Sequence, residues 1–334
     1  MAEYQAYRLR SGSEFFGKIA DVDEKIHPVP PTAGYEWTET NMFGFNIPEH
    51  NIDCLIYLWH HPVLKVTYGG VTIWKGFKMT HLEAEACDFR MAMPMPAEPT
   101  DATYPIGLTV RMIAPQREFH LTWQHVKEDS SFDLMLTAAM PPAVRHTGNH
   151  LTQMMRTRGT LVLQGSRYII DGLHSRDRSW GEHRSESPTD LPPIAWMVGT
   201  FAEDFAFHVV GFESPEHHPE WQSHYPSVKP AENTLWGYVR DGSRTLGVIA
   251  SDLYIHRASD GLAPERIELT VRAENGVDYR LEGRVTALVP QPCWPNMIFF
   301  LGLTEWRCNG RVGYGDIQDV NQSAHMRRFR RLGS

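Results

Sequence analysis

The densest group of chemically reactive side chains lies between residues 174 and 184. This segment (HSRDRSWGEHR) holds two histidines, two carboxylates, three arginines and one tryptophan. One interpretation is an active-site loop at the mouth of a barrel, where Asp177 acts as acid or base, His174 or His183 assists, and Trp180 forms an apolar wall. The alternative is an interdomain clasp, in which Asp177 pairs with an arginine and Trp180 fills the seam. The local sequence alone favours the clasp.

Two further segments carry groups that suit a ligand pocket. His150 and Gln153 are three residues apart, so both can point into a pocket, although a solvated connection explains them equally well. In the segment 57–61 (YLWHH), strand alternation predicts that Tyr57, Trp59 and His61 share one face that points inward. Core packing explains the two aromatic residues at least as well as ligand stacking does.

Several classes of site are disfavoured. The sequence has no dinucleotide-binding or P-loop glycine pattern, no nucleophile elbow and no H-E-x-x-H motif. Residues 213–224 contain metal-ligand types, including His217 and His218, but their spacing fits no ordered site, so we predict no metal. We likewise expect no cofactor.

Charge, hydropathy and cysteine content limit the kinds of partner and compartment that we expect for this protein. A net charge of −8 over 334 residues disfavours nucleic acid as a partner. No apolar run of 18 residues is present, so we expect no membrane span, and the N-terminus lacks a signal-peptide core. The four cysteines form no C-x-x-C pair, which favours free thiols in a soluble, cytoplasmic protein.

The elements that must position these groups are predicted to be strands. Turn pairs at Gly69-Gly70, Gly165-Ser166, Asp241-Gly242 and Asn275-Gly276 separate β-rich runs and predict hairpins. Alternation in Glu118–Val126 puts Phe119, Leu121 and Trp123 on one face. Only residues 149–156 resemble a helix.

This hairpin density predicts an all-β fold of two packed, antiparallel barrel- or sandwich-like halves with few short helices. A polar, proline-rich stretch at residues 185–193 marks the break between them. We therefore expect an N-terminal β domain over 1–187 and a C-terminal β domain over 188–334.

Four stretches resemble a known family. The run 176–181 (RDRSWG) resembles the R-D-x-S-W-G signature of the lipocalin-like, calycin-type family of carotenoid 1,2-hydratases, kievitone hydratase and fungal Diels–Alderases, with many uncharacterised bacterial members. Residues 39–49, 150–153 and 313–318 resemble its E-S-x-x-F…D-P-E, H-x-x-Q and G-x-G-x-x-E stretches, with Gln318 where a glutamate is typical. The likeness spans about residues 35 to 320. It implies two lipocalin-like barrels and cofactor-free chemistry on hydrophobic polyene, terpenoid, polyketide or aromatic substrates.

Hydration, dehydration and cyclisation of such substrates all move a proton to or from a carbon skeleton in a dry pocket. A carboxylic acid walled by aromatic rings stays protonated near neutral pH and can donate, although a nearby arginine opposes this. Asp177 is therefore the first catalytic candidate, and His150, His174 and His183 are the alternatives. We expect the substrate to contact the side chains of Tyr57, Trp59, His61, Trp123, Gln153, Arg178 and Trp180.

We predict a hydro-lyase, cyclase or isomerase for a hydrophobic small molecule. A non-catalytic carrier of an apolar ligand is the alternative, and a hydrolase with an Asp–His pair is a weaker one. The oligomeric state, including a homodimer, is open.

Overall fold

The computed structural model describes residues 16–181, 191–225, 228, 233–259 and 261–329. They are almost entirely antiparallel β-structure, which confirms the predicted fold class. The chain forms two compact units: the first takes the described residues of 16–75 and 81–185, and the second takes those of 76–80 and 186–334. The predicted boundary between residues 187 and 188 lies outside the described residues and stays a prediction. No described helix is long and apolar enough to cross a membrane.

The first unit is one curled sheet of eleven strands. Its order is β4-β3-β2-β1-β11-β10-β8-β7-β6-β5, and β9 pairs with β10. The strands are β1 (Thr38–Ile47), β2 (Ile52–His61), β3 (Val66–Lys75), β4 (Ala86–Pro94), β5 (Asp101–Thr103), β6 (Leu108–Ala114), β7 (Glu118–Gln124), β8 (Ser131–Ala138), β9 (Ala143–Val144), β10 (His150–Leu163) and β11 (Ser166–Gly181). Short 3-10 turns occupy Asp21–Glu24, Pro48–His50 and His81–Glu83.

The core of this unit lies on one face of the curled sheet. Alternate residues of each strand supply it, such as Phe43 and Phe45 from β1, and Ile56 and Leu58 from β2. The predicted face of Phe119, Leu121 and Trp123 is confirmed, because all three belong to this core. We call the core-bearing side of the sheet the clasp face, for the ion pairs described below, and its opposite side the acid face.

Two local predictions in the first unit are wrong. Gly69 and Gly70 form no turn but lie inside β3, where a Cβ at Gly69 would meet the Tyr57 carbonyl oxygen at 2.0 Å. They are glycines because neighbouring backbone approaches them closely. Residues 149–156 form no helix, since β10 runs through them as the partner of both β8 and β11. Tertiary pairing overrides the weak local helical pattern there.

The second unit is a closed barrel of eight strands. The strands are β12 (Ile194–Ala202), β13 (Phe205–Phe212), β14 (Thr234–Asp241), β15 (Arg244–Arg257), β16 (Pro264–Ala273), β17 (Asp278–Gln291), β18 (Met297–Cys308) and β19 (Arg311–Gln322). Its helices are a 3-10 turn (Pro215–His217), α1 (Pro219–Gln222) and α2 (Ser323–Phe329). The hairpins predicted near Gly165, Gly242 and Gly276 are confirmed, because each of those glycines lies between two successive paired strands.

A buried ion cluster lies at the ends of strands in the second unit. The Arg257 guanidinium contacts the carboxylates of Glu213 and Asp319, and His218 Nε2 lies 2.9 Å from Glu213 Oε1. Burial favours the neutral form of Glu213, but Arg257 and His218 together outweigh it and lower its pKa, whereas burial raises the pKa of Asp319. His217 Nε2 lies 3.3 Å from Asp252 Oδ1. The two histidines that suggested metal-ligand types therefore lie against carboxylates.

Two arginines of β11 hold the chain segment before β1 against the clasp face of the first unit. Strand alternation turns Arg176 and Arg178 towards this face, and the Arg176 guanidinium carbon lies 4.6 Å from the centre of the Phe119 ring. Arg176 donates to both carboxylate oxygens of Glu24, at 3.1 and 2.5 Å, and neither side chain is exposed. This is a bidentate pair in a fully buried environment.

Gln153 completes the Arg176 contact. Its Oε1 accepts from Arg176 Nε at 2.9 Å, and its Nε2 donates to the carbonyl oxygens of Gln116 and Met140, both at 2.8 Å. Both ends of the amide are therefore hydrogen-bonded. Such full satisfaction is what a completely buried polar group requires.

Arg178 makes the second buried pair. It donates to Glu39 Oε2 at 2.6 Å and to the carbonyl oxygens of Asp23 and Lys25 at 2.8 and 2.5 Å. The His27 ring stacks on Trp180 with centroids 4.5 Å apart, and the His27 amide donates to Glu39 Oε1 at 2.8 Å. One arginine thus fixes the path of the chain before β1.

His60 is a neutral neighbour of this charge cluster. Asn41 Nδ2 lies 3.4 Å from His60 Nε2, which places the ring proton on Nδ1, where it is donated to Thr67 Oγ1 at 2.9 Å. Burial, then the positive charge of Arg178, then His61 lower the pKa of His60 from 6.5 to about 3. The ring is therefore uncharged throughout the neutral range.

We predict that Glu24→Gln and Arg176→Met each lower the free energy of unfolding by about 3–5 kcal/mol, because each leaves one buried charge without its partner. The double variant should lose less than the sum of the two single variants. Urea unfolding of the full chain measures this cycle, with Asp171→Asn on the exposed part of β11 as the control. Single losses as small as the control's would show that the buried pair does not stabilise the fold.

The His60 pKa also predicts a pH dependence of stability. Between about pH 6.5 and 3 the unfolded chain binds a proton on His60 that the folded chain does not, so stability falls as the pH falls through this window. The expected slope from this group is about 1.4 kcal/mol per pH unit. His60→Gln should remove that part of the slope, measured as the urea midpoint against pH, whereas His120→Gln on β7 should leave it. Equal slopes in wild type and His60→Gln would contradict the assignment.

Candidate functional site

The acid face of the first unit carries the side chains that face away from the core. On β11 these include Asp177 and Ser179, which alternate with Arg176, Arg178 and Trp180. Strand alternation therefore divides the run 176–181 between the two faces of the sheet, with the arginines and Trp180 on the clasp face and Asp177 and Ser179 on the acid face. The arginines have their carboxylate partners, Glu24 and Glu39, on the clasp face.

Strand register gathers two rows of side chains on the acid face. Adjacent strands in a sheet are about 4.8 Å apart, so residues in register are direct neighbours. The order across the sheet is β10, β11, β1, β2. The first row is Thr152, Asp177, Met42 and Tyr57, and the second row is His150, Ser179, Thr40 and Trp59.

The rows place a carboxyl group beside an imidazole and near two aromatic rings. His150 is the diagonal neighbour of Asp177, a position within reach of long side chains, and its Nε2 lies 3.3 Å from Thr152 Oγ1. The Thr40 and Ser179 hydroxyls are hydrogen-bonded at 2.8 Å. Asp177 is half-buried, and its neighbours His150 and Thr152 are buried.

The aromatic part of the acid face comes from β2. Trp59 is 2% exposed, and its ring lies 4.5 Å from the His61 ring and 5.6 Å from the Tyr68 ring. Tyr57 is also buried. Trp and Tyr faces attract developing positive charge, typically by about 0.5–2 kcal/mol each. The acid face thus carries a carboxyl group, an imidazole and two aromatic rings on adjacent strands.

One hydroxyl group and one side-chain amide group of β1 also lie on the acid face. Thr38 Oγ1 and Asn46 Nδ2 are buried, and neither has a hydrogen-bond partner within the described part of the chain. Buried polar atoms in native proteins are nearly always paired with protein, water or ligand. Thr38 Oγ1 and Asn46 Nδ2 are therefore polar groups of the acid face that could contact a further polar atom.

His174 lies on the acid face as well. A Cβ at Gly44 would meet His174 Cε1 at 2.4 Å, and His174 Nε2 lies 3.9 Å from Asp53 Oδ1. Both Gly44 and Asp53 are on the acid side of their strands, since Phe43, Phe45 and Cys54 belong to the core. Strict strand alternation from Asp177 would place His174 on the clasp face instead. The pairing between β1 and β11 ends at Met42 and Asp177, before His174 is reached.

The structure therefore separates the side chains singled out in the sequence. Asp177, His150, His174, Tyr57, Trp59 and His61 lie on the acid face, whereas Arg178, Gln153 and Trp180 belong to the clasp. Trp123 lies in the core and donates from Nε1 to the Ile106 carbonyl oxygen at 3.1 Å. His183 lies outside the described residues.

Two expectations need correction. Tyr57, Trp59 and His61 do share a face, but that face points away from the core of the unit, because Ile56 and Leu58 fill the core from the other side of β2. The clasp is real but different from the expected one: Arg176 and Arg178 pair with Glu24 and Glu39, within one unit. Glu24, His27 and Asp53 were not singled out in the sequence, where no local motif marks them, whereas Glu39 begins the stretch 39–49 that resembles the family's E-S-x-x-F motif.

One protein-family model matches most of the chain. The model of a family described as a domain of unknown function, DUF7064, matches residues 20–324. No curated protein sequence matches the chain.

Kievitone hydratase from Nectria haematococca aligns with the chain at 12% identity and a TM-score of 0.49, covering 86% of this chain and 88% of that one. A candidate AttH protein from Nitrosomonas europaea aligns at 9% identity and a TM-score of 0.54, covering 89% of this chain and 99% of that one. At this identity the second likeness shows a shared fold alone. The family match over residues 20–324 identifies the chain as a member of the DUF7064 family.

Proposed function

We propose that the chain is a cofactor-independent lyase of the hydratase or dehydratase type, or a related cyclase or isomerase, acting on a hydrophobic terpenoid, polyketide or aromatic small molecule. The observation that carries this proposal is the strand register. It brings Asp177, His150, Tyr57 and Trp59 onto one face of four adjacent strands. The R-D-x-S-W-G resemblance of residues 176–181 supports the same class of reaction.

The position of the arginines supports Asp177 as the acid. An arginine beside a carboxyl group favours its ionised form and would oppose proton donation. Arg176 and Arg178 instead direct their guanidinium groups to the clasp face, where Glu24 and Glu39 balance their charge. The sequence neighbours of Asp177 are therefore not its spatial neighbours on the acid face.

The proposed chemistry uses each part of the acid face. Asp177 gives a proton to, or takes one from, a substrate carbon, and His150 is the neighbouring acid–base group. Tyr57 and Trp59 hold the apolar skeleton and stabilise positive charge that develops on it. Holding a flexible substrate in one reactive conformer adds to the rate.

A carrier of an apolar ligand is the competing proposal. An unbroken apolar lining would favour carriage, whereas titratable groups among apolar ones favour catalysis. His150 is 1% exposed and lies one diagonal step from Asp177, in the row that also contains Trp59. This mixture of buried imidazole and aromatic side chains favours the enzyme.

We predict that Asp177→Asn abolishes turnover while the thermal unfolding midpoint stays within a few degrees of wild type. The test incubates wild type and variant with a panel of hydrophobic terpenoid, polyketide and aromatic compounds, and mass spectrometry detects gain or loss of water or a product isomer. Asp171→Asn is the matched control, because Asp171 lies on the same strand and is half-exposed in a surface pair with Arg156.

Three results distinguish the proposals. Loss of turnover in Asp177→Asn alone supports Asp177 as the acid. A midpoint that drops by many degrees shows a structural role for Asp177 instead. Panel members that bind to the wild type without being converted favour the carrier.

A further inference from the structure

We infer that the Asp319 carboxyl group, inside the barrel of the second unit, donates a hydrogen bond to the oxygen atom of a small apolar molecule such as an aryl ketone. Asp319 is completely buried, and its Oδ1 has no hydrogen-bond partner within the described part of the chain. Buried polar atoms of native proteins are nearly always paired with protein, water or ligand. The site belongs to the other unit from Asp177 and is independent of the proposed function.

Strand geometry directs the Asp319 side chain into the barrel. Asp319 is two residues after Ile317 on β19, so the two side chains share a face, and Ile317 belongs to the core of the second unit. The residues in register with Asp319 on the neighbouring strands, Ala195 of β12 and Phe300 of β18, also belong to that core. The carboxyl group therefore lies at an inward position that apolar side chains flank.

The two oxygens of this carboxyl group have different surroundings. Oδ2 accepts hydrogen bonds from Arg257 Nη1 at 2.5 Å and from Asn321 Nδ2 at 2.9 Å. An oxygen that already accepts from two donors is a poor place for a proton, so the proton of the neutral acid is on Oδ1. Oδ1 is thus the atom that faces a ligand, and in the neutral acid it is a donor.

The charges around Asp319 favour its neutral form. Glu213 contacts the Arg257 guanidinium and accepts from the Ile255 amide at 2.9 Å. Arg257 and His218 outweigh burial and lower the pKa of Glu213, so its carboxylate is ionised beside the arginine. Burial raises the pKa of Asp319, Arg257 opposes the rise, and the negative charge of Glu213 adds to it. An ionised Asp319 would place a second negative charge beside Glu213 inside the barrel.

This chemistry selects one class of ligand. A carboxylic acid that an apolar site keeps neutral can donate a hydrogen bond at neutral pH. Its complement is an acceptor oxygen, such as that of a ketone, on a skeleton that packs against apolar side chains such as Phe300 and Ile317. An ammonium group would set its own N–H donors against the Oδ1–H donor, and a hydrocarbon would leave Oδ1 unpaired.

The experiment titrates the full chain with three probes of similar shape, followed by ligand-observed NMR. Acetophenone carries an acceptor oxygen, ethylbenzene has no polar atom, and 1-phenylethylamine carries an ammonium group. We expect the wild type to bind acetophenone about tenfold more tightly than ethylbenzene, as for one hydrogen bond made in the complex. The amine should bind most weakly.

Two substitutions test whether Asp319 is the donor. In Asp319→Asn the amide oxygen can accept from Arg257 and Asn321, which leaves the amide NH₂ at the position of Oδ1, so we expect acetophenone affinity within about threefold of wild type. Asp319→Leu removes the donor and should abolish the preference for acetophenone over ethylbenzene. Asp278→Asn and Asp278→Leu are the matched controls, because Asp278 also pairs with an arginine but is 40% exposed on β17.

Each outcome has a defined meaning. A preference for acetophenone that survives Asp319→Asn and disappears in Asp319→Leu supports the site. Wild type that binds no probe, or binds ethylbenzene as tightly as acetophenone, shows that Oδ1 pairs at most with buried water and overturns it. Preference for the amine that is lost in Asp319→Asn shows an ionised carboxylate and also overturns it, as does an unchanged preference in Asp319→Leu. Thermal midpoints show which variants fold; if Asp319→Leu does not, Asp319→Asn and the three probes decide.

Discussion

The buried pairing of Arg176 with Glu24 and of Arg178 with Glu39 is the interaction on which the arrangement of the first unit depends. Two guanidinium groups inside a core would be prohibitively costly without such partners. Their partners come from the segment before β1 and from β1 itself, so charge balance dictates where the chain enters the sheet. Removing either carboxylate would leave a cation facing Phe119 or Trp180.

This pairing also frees the other side of the strand. A β-strand directs successive side chains to opposite faces, so one hexapeptide can hold a structural ion cluster on one side and reactive groups on the other. Asp177 sits between two arginines in sequence, yet strand geometry directs its side chain to the face of Thr152 and Met42. In the sequence, the two arginines beside Asp177 would favour its ionised form. In the structure they lie on the opposite face of the strand from Asp177.

The sequence patterns correctly predicted those features that depend on local chain geometry, namely hairpins and one buried strand face. Turn residues near Gly165, Gly242 and Gly276 and the alternation around Trp123 were sufficient for hairpins and a buried face. Long-range pairing was not accessible: Glu24 is 152 positions from Arg176, and Gly69 is glycine because of a carbonyl on β2. Which face of β2 meets the core depends on pairing with β1 and β3, so the aromatic face of Tyr57 and Trp59 was assigned inward.

His174 illustrates why a candidate site needs coordinates as well as patterns. Its sequence position suggests only a member of a polar run, and alternation from Asp177 would direct it to the clasp face. Its imidazole instead packs on Gly44 and lies 3.9 Å from Asp53 Oδ1, in the part of β11 that lies beyond the end of its pairing with β1.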